Sequence, residues 1–393
     1  MIERKRSHAA VITRSGPIDE LFAAAARRPE LVSFAAGAPD PALLPVESIA
    51  GLAAAALDRH GRAALQYGLT GGLPALQELS RKLLSERGID CATGDIHIAT
   101  GASGALHNIC LATLDRGDVV LVETPTHGPA VTLFRSHGAT VIGVECDESG
   151  VLPEALDDAI RRHLPAFVYL MPTFHNPTGR TMSAERRART AEVIRRHRML
   201  AIEDDVYVEL RYRGAEVPAL TSFVPEFCAY LTSLSKCVAP ALRIGITTMP
   251  QPLLRDVLVL KQGIDMQTSS LTQALAAEFL GGPERAAHRQ RLVEHYAAKL
   301  DRLAGALGEH LGPDFRWTVP DGGLFVWVEG PPDFDAGAVL PAALDHGVAY
   351  LPGSHFYADG GADRGNTLRL SFSAVPIGDI DRGVAALARV CRP

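Results

Sequence analysis

No stretch of this 393-residue chain carries the ~18 consecutive apolar residues that a membrane-crossing helix requires. No apolar segment follows the basic start MIERKRSHAA either, so a signal peptide is not expected and a cytoplasmic location is. The six cysteines, at 91, 110, 146, 228, 237 and 391, form no CxxC pair and no Cys/His spacing of a metal site. They are expected to be reduced, mostly buried thiols of a cytosolic enzyme, with Cys237 a packed small hydrophobe and no metal required. A strong charge of one sign is missing too. A net charge of -6 and a pI near 6.2 supply no basic face for nucleic acid or an anionic membrane. Internal repeats and low-complexity linkers are absent as well.

What the chain does have is length and alternation. At 393 residues it exceeds the usual limit of one core, so one large and one smaller domain are expected. A short helical segment is read at Asp19 to Arg28, and then Gly37, Pro39, Pro41 and Pro45 break the run LVSFAAGAPDPALLP into a structured loop. Helices are expected at 47–59 and from Pro74 to Arg87, the second with proline in its first turn. From residue 95 onward, apolar strand-like runs alternate with helices: HIAT, DVVLVE, ATVIGVE, AFVYLM, MLAIEDD, FCAYLTS and ALRIGITTM. Seven such runs imply a mainly parallel sheet covered by helices on both faces, an α/β fold. A long helical region at 268–310 and a smaller α+β section ending in LRLSFS complete the reading. In such sheets ligands lie beyond the carboxyl ends of the strands, and every unusual motif of this chain falls at such an end.

The motif SLSK sits on a short polar loop between two of those runs. An amine held there is partly desolvated, which disfavours its charged form and makes Lys236 nucleophilic near neutral pH. Arg243, with Ser233 and Ser235 upstream, could hold a phosphate; a plain surface lysine is the competing reading. GASGAL opens a helix directly after a strand, so the backbone N–H groups of Ala102 and Ser103 could bind an anion, or the small residues could serve tight packing. Asp204 and Tyr207 close another strand, where a carboxylate could pair with a protonated ring nitrogen. Asp205 is the better candidate for a helix N-cap there, and Glu203 for a structural acid. HNPTG holds Asn176 before a rigid turn, which is also an ordinary use of Asn-Pro. Arg369 alternates with Leu368 and Leu370, so it faces either a cleft that takes a carboxylate or solvent.

Together and in this order, HNPTG, EDDVY, SLSK with Arg243, and LRLSFS resemble the fold-type-I pyridoxal phosphate (PLP) aminotransferases of class I/II. The likeness is nearest to the kynurenine/2-aminoadipate branch, which also supplies the C-terminal domain of MocR regulators. The resemblance implies an N-terminal arm at 1–50 belonging to the small domain, a large PLP-binding domain at 51–285 and a small α+β domain at 286–393. It implies that Lys236 forms the internal aldimine and shuttles protons, that Asp204 pairs with the pyridine nitrogen, and that Asn176 and Tyr207 bond the ring oxygen. Ala102, Ser103, Ser233, Ser235 and Arg243 would hold the phosphate, Arg369 the substrate carboxylate, and Gly37 would permit close backbone approach. Tyr67 would reach the phosphate of a neighbouring subunit, implying a homodimer with shared sites.

The activity implied is amino transfer between an L-amino acid and a 2-oxo acid by a ping-pong route. No second arginine is placed for an acidic side chain, so aliphatic, aromatic and basic substrates remain open. One departure stands out. Where the family stacks a tyrosine or phenylalanine on the ring, ETPTH places His127, a group able to titrate near neutral pH. That substitution raises an alternative, a biosynthetic cyclase, lyase or oxidase with His127 moving protons. His175 and His355 could border the same cleft but read better as structural. A PLP-sensing regulator is a third reading, opposed by the lack of a helix-turn-helix in the ~30 residues before SFAAG.

Overall fold

The computed structural model describes residues 7–12, 28 and 30–391. Its main sheet has seven strands: β1 Ile96–Thr100, β2 Val119–Glu123, β3 Thr140–Val144, β4 Phe167–Leu170, β5 Ala201–Asp204, β6 Cys228–Ser233 and β7 Ile244–Thr248. These are the seven apolar runs of the sequence. Helices cover both faces, so both side-chain rows of β4, β5 and β7 are buried and no polar alternation is needed. The spatial order is β1-β7-β6-β5-β4-β2-β3. Within this sheet β7 is antiparallel to both of its neighbours, while β6, β5, β4, β2 and β3 pair in parallel. Reversing β7 brings its amino end to the edge where the other six strands end. The β6–β7 loop, which carries Ser235, Lys236 and Arg243, therefore stays on that edge.

A second sheet of four antiparallel strands joins Arg316–Trp317, Phe325–Glu329, Thr367–Ser371 and Leu351–Pro352. Val32–Ser33 pairs in parallel with Val348–Ala349, which ties the N-terminal segment to the C-terminal part of the chain. The helical region expected at 268–310 is two helices, Ser270–Gly281 and Glu284–His310. They part at Gly282 and Pro283, where a missing N–H and a flexible residue end the ladder. A further helix, Gln251–Ile264, has no counterpart in the sequence reading. The segment Asp19 to Arg28 lies outside the described residues except for Arg28.

Buried charge holds the sheet to its helices. Glu203 accepts from the Leu220 and Thr221 amides at 2.9 and 2.7 Å and from the Thr221 hydroxyl at 2.7 Å, a structural role as expected. Asp205 differs from expectation. No helix starts there; its fully buried carboxylate takes Arg87 Nη2 at 3.1 Å and the Tyr230 hydroxyl at 2.9 Å. A cap would leave that acid half in water, whereas here it anchors the helix Pro74–Glu86 to β6. Breaking such a pair from one side strands a buried charge, so Arg87→Met is expected to cost about 3–5 kcal/mol. The check is the urea unfolding midpoint, and an unchanged midpoint would refute the anchoring role.

Candidate active site

A cavity of about 550 Å³ opens at the strand-end edge. Its walls include Ala102, Ser103, His127, Asp204, Tyr207, Ser233, Ser235, Lys236 and Arg243, all singled out in the sequence. Gly37, Asn176 and Arg369 join through hydrogen bonds. Lys236 Nζ donates to the Gly37 carbonyl at 2.8 Å, and Arg369 Nη1 donates to Asn176 Oδ1 at 2.9 Å. Tyr67 is not among them: it is 74% exposed and lines a separate pocket beside Ser270 and Gln273.

Each side chain is placed by the end of an element. Lys236 follows β6, and burial, then the nearby Arg369 charge, pull its pKa down to about 8 although Asp204 opposes the shift. Asp204 is the last residue of β5. Burial raises its pKa to about 6, and a hydrogen bond from Tyr169 at 2.6 Å works against that rise. That bond occupies Oδ2 only. Oδ1 is buried without a hydrogen-bond partner among the described residues. An orphaned carboxylate oxygen in a cavity calls for a donor from a ligand. Tyr169, on β4, was missed in the sequence because a tyrosine inside an apolar run reads as core. Burial, then Asp204, holds its phenol well above the usual range, so it remains a donor.

The anion cradle is built at the start of the helix Gly101–Thr113. Gly101 adopts φ +76°, and a Cβ there would strike the Arg243 guanidinium. Gly245 on β7 is equally confined, since its Cβ would lie 2.5 Å from the Gly101 carbonyl carbon. Two glycines thus let an arginine and a helix N-terminus converge. Thr100, just before the helix, donates to Asp265 at 2.9 Å, and Lys261 bonds the same carboxylate at 2.5 Å. Ser233 is spent within the loop: it donates to the Ile244 carbonyl or to Ser235 Oγ, each at 2.9 Å, and accepts from the Ser235 amide at 3.1 Å. Ala102, Ser103, Ser235 and Arg243 are left for an anion.

Arg369 lies between the rings of Phe325 and Phe356, 4.2 and 4.9 Å from their centroids. Burial lowers its pKa to about 10, so it stays a cation near neutral pH. His127 departs from expectation. Burial, then Arg369 and Lys236, push its pKa down to about 3, below the range in which an isolated imidazole titrates. His175 is structural, with Nδ1 2.9 Å from the Thr178 hydroxyl and Nε2 3.4 Å from Glu123.

These residues fit pyridoxal phosphate: an anion cradle, a low-pKa amine, and a buried carboxylate oxygen lacking a donor share one cavity. The comparisons agree. The family model for aminotransferase class I and II matches residues 29–387. The 2-aminoadipate transaminase of Thermus thermophilus is 34% identical over 93% of this chain and 91% of its own. The aromatic-amino-acid aminotransferase 1 of Thermococcus litoralis is 32% identical over 92% and 88%. Among solved structures, the Pyrococcus horikoshii kynurenine aminotransferase, in complex with PMP, superposes with a TM-score of 0.94 at 32% identity, covering 99% of this chain and 97% of that one. Two HTH-type transcriptional regulators of Bacillus subtilis match as well, at 32% and 29% identity, but this chain accounts for only 65% and 74% of their length. The cyclase, lyase or oxidase reading is not favoured by these relatives, and the chain belongs to the class I and II aminotransferases.

Proposed function

We propose that the cavity around Lys236 is the active site through which this PLP-dependent aminotransferase moves an amino group from an L-amino acid to a 2-oxo acid. The observation that carries this reading is the pair of Lys236, an amine of lowered pKa, and Asp204, a buried carboxylate with one oxygen free. The bound cofactor supplies an aldehyde for the amine and a ring that draws electron density from the substrate α-carbon.

The chain's own residues do the rest. Asp204 would accept a hydrogen bond from the ring N–H on Oδ1 and so keep that nitrogen protonated, because Tyr169 already fills Oδ2. Asn176 and Tyr207 would bond the ring oxygen. Ala102, Ser103, Ser235 and Arg243 fix the phosphate, and Ser233 shapes their loop. Arg369 takes the substrate carboxylate with a planar fork held between two aromatic faces. Lys236 Nζ removes the proton at the substrate α-carbon and later returns one.

In this reading residues 51–285 form the cofactor-binding part, and 1–50 with 286–393 the smaller one. Tyr67 projects outward as a residue that serves the site of a second copy would, and we take the enzyme to be a cytoplasmic homodimer. No helix among the described residues is long and apolar enough to cross a membrane.

Replacing Lys236 with alanine should lower amino transfer by about 10³-fold or more and abolish the cofactor's lysine-bound absorbance. Turnover that survives the change would exclude Lys236 as the reactive amine. The pH dependence has a definite sign. Capture of pyridoxal phosphate by the cofactor-free chain needs the free amine of Lys236, whose pKa is about 8. Its stopped-flow rate should therefore rise with pH and level off above 8, falling tenfold per pH unit below. A rate that keeps rising tenfold per pH unit from about 8 to 10 would contradict a lysine of lowered pKa.

A further inference from the structure

We propose that His127 is a fixed, uncharged hydrogen-bond donor and not a proton carrier: the row Arg369–Asn176–His127 holds its ring as the Nε2–H tautomer and presents that N–H to an oxygen of the bound substrate. The argument starts at the arginine. A guanidinium has donors only, so the 2.9 Å contact from Arg369 Nη1 requires the oxygen of the Asn176 amide on that side. Turning the amide over would set N–H against N–H. The Asn176 nitrogen then faces His127 Nδ1 at 3.0 Å, and an NH₂ group can only donate. Nδ1 must be the acceptor, and a neutral ring with a bare Nδ1 carries its proton on Nε2.

The neighbours keep the ring neutral. A second proton would fall on Nδ1, opposite the Asn176 donor, and would add a cation to a wall that already holds two. Arg369 faces His127 from the small sheet and Lys236 from the β6–β7 loop, both raising the cost of charge. His175 on the neighbouring turn is also neutral, being buried. Asp204, on the cavity wall formed by β5, is the acid that faces the same space, and Tyr207 is a neutral phenol.

His127 begins the helix Gly128–Ser136 and lines the cavity. Among the described residues its Nε2 has no hydrogen-bond partner. A carboxylate held by Arg369 has lone pairs to spare along this row of donors, so the imidazole N–H can share one of its oxygens. A phenylalanine in this place would offer the same flat face and no donor. The arrangement adds a directional contact without adding charge beside Lys236.

The tautomer is independent of the reaction assigned to the enzyme; the donor role rests on the aminotransferase reading. Nitrogen-15 spectra of the histidine-labelled protein, with His127 identified by its loss in His127→Phe, test the first part. One unprotonated Nδ1 and one protonated Nε2 should persist from about pH 8 to 5. A protonated Nδ1, or titration inside that window, overturns the proposal. In Asn176→Ala the lock is gone, and the two nitrogens should move toward an exchange average. The donor role is read from kinetics. His127→Phe should raise KM for both the amino acid and the 2-oxo acid about tenfold, the scale of one hydrogen bond, with the cofactor retained. An unchanged KM with a fall in kcat alone would mark His127 as a proton carrier and refute it. Failure of amino transfer in the unaltered enzyme would count against the aminotransferase reading, while the spectra would still decide the tautomer.

Discussion

The structure turns on keeping one amine poised close to its neutral form inside a cavity that must also hold anions. Lys236 achieves this by burial and by proximity to Arg369, both of which oppose its protonation. Asp204 pulls the other way, and the balance leaves the pKa near 8 rather than far below neutrality. That balance requires an arginine, a lysine and an acid at close quarters. They come from three distant stretches of chain, 204, 236 and 369, and only the strand-end edge brings them together. The reversal of β7 matters for this reason. A parallel β7 would need a crossover, and the short loop carrying Lys236 and Arg243 could not exist.

The site is also a junction between the two sheets. The main sheet contributes Asp204 and the Lys236 loop; the second sheet contributes Arg369. The loop after Val32–Ser33 adds the carbonyls of Ala35 and Gly37, which accept from Arg369 at 2.6 Å and Lys236 at 2.8 Å. Further back, Asp40 of the same loop bonds Lys299 at 2.5 Å and His295 at 2.8 Å. A buried ion pair on the helix Glu284–His310 therefore fixes the segment that supplies those two carbonyls.

Much of this was legible in the residues. The seven apolar runs are the seven strands, because a sheet buried on both faces needs no polar alternation and leaves an unambiguous pattern. Lys236, Asp204, Asn176 and Arg369 were legible for a different reason. Each follows or breaks an apolar run, which is where polar side chains meet a cleft in this architecture. The errors have physical causes too. Asp205 reads as a cap because caps and buried ion pairs use the same residue type, and Arg87 lies 118 residues away. Tyr169 hides in an apolar strand because its ring is core and its hydroxyl is not. His127 is a different case: an isolated imidazole titrates near neutral pH, while burial and two nearby cations, invisible in sequence, lower its pKa.

Phe325 shows how little freedom the site retains. Arg369 lies over its face at 4.2 Å, Tyr207 meets it edge to face at 5.5 Å, and a Cβ on Gly37 would come within 2.6 Å of its ring. One aromatic side chain therefore sets the height of the Arg369 guanidinium, the lean of the Tyr207 phenol, and the identity of residue 37. A smaller residue would leave the guanidinium without one of its two faces, and a flexible arginine would sample positions from which Asn176 could not be oriented. Since the Asn176 amide in turn decides which His127 nitrogen carries the proton, packing around Phe325 reaches, through two hydrogen bonds, the wall of the cavity that His127 lines. Apolar shape and proton placement are here parts of one constraint.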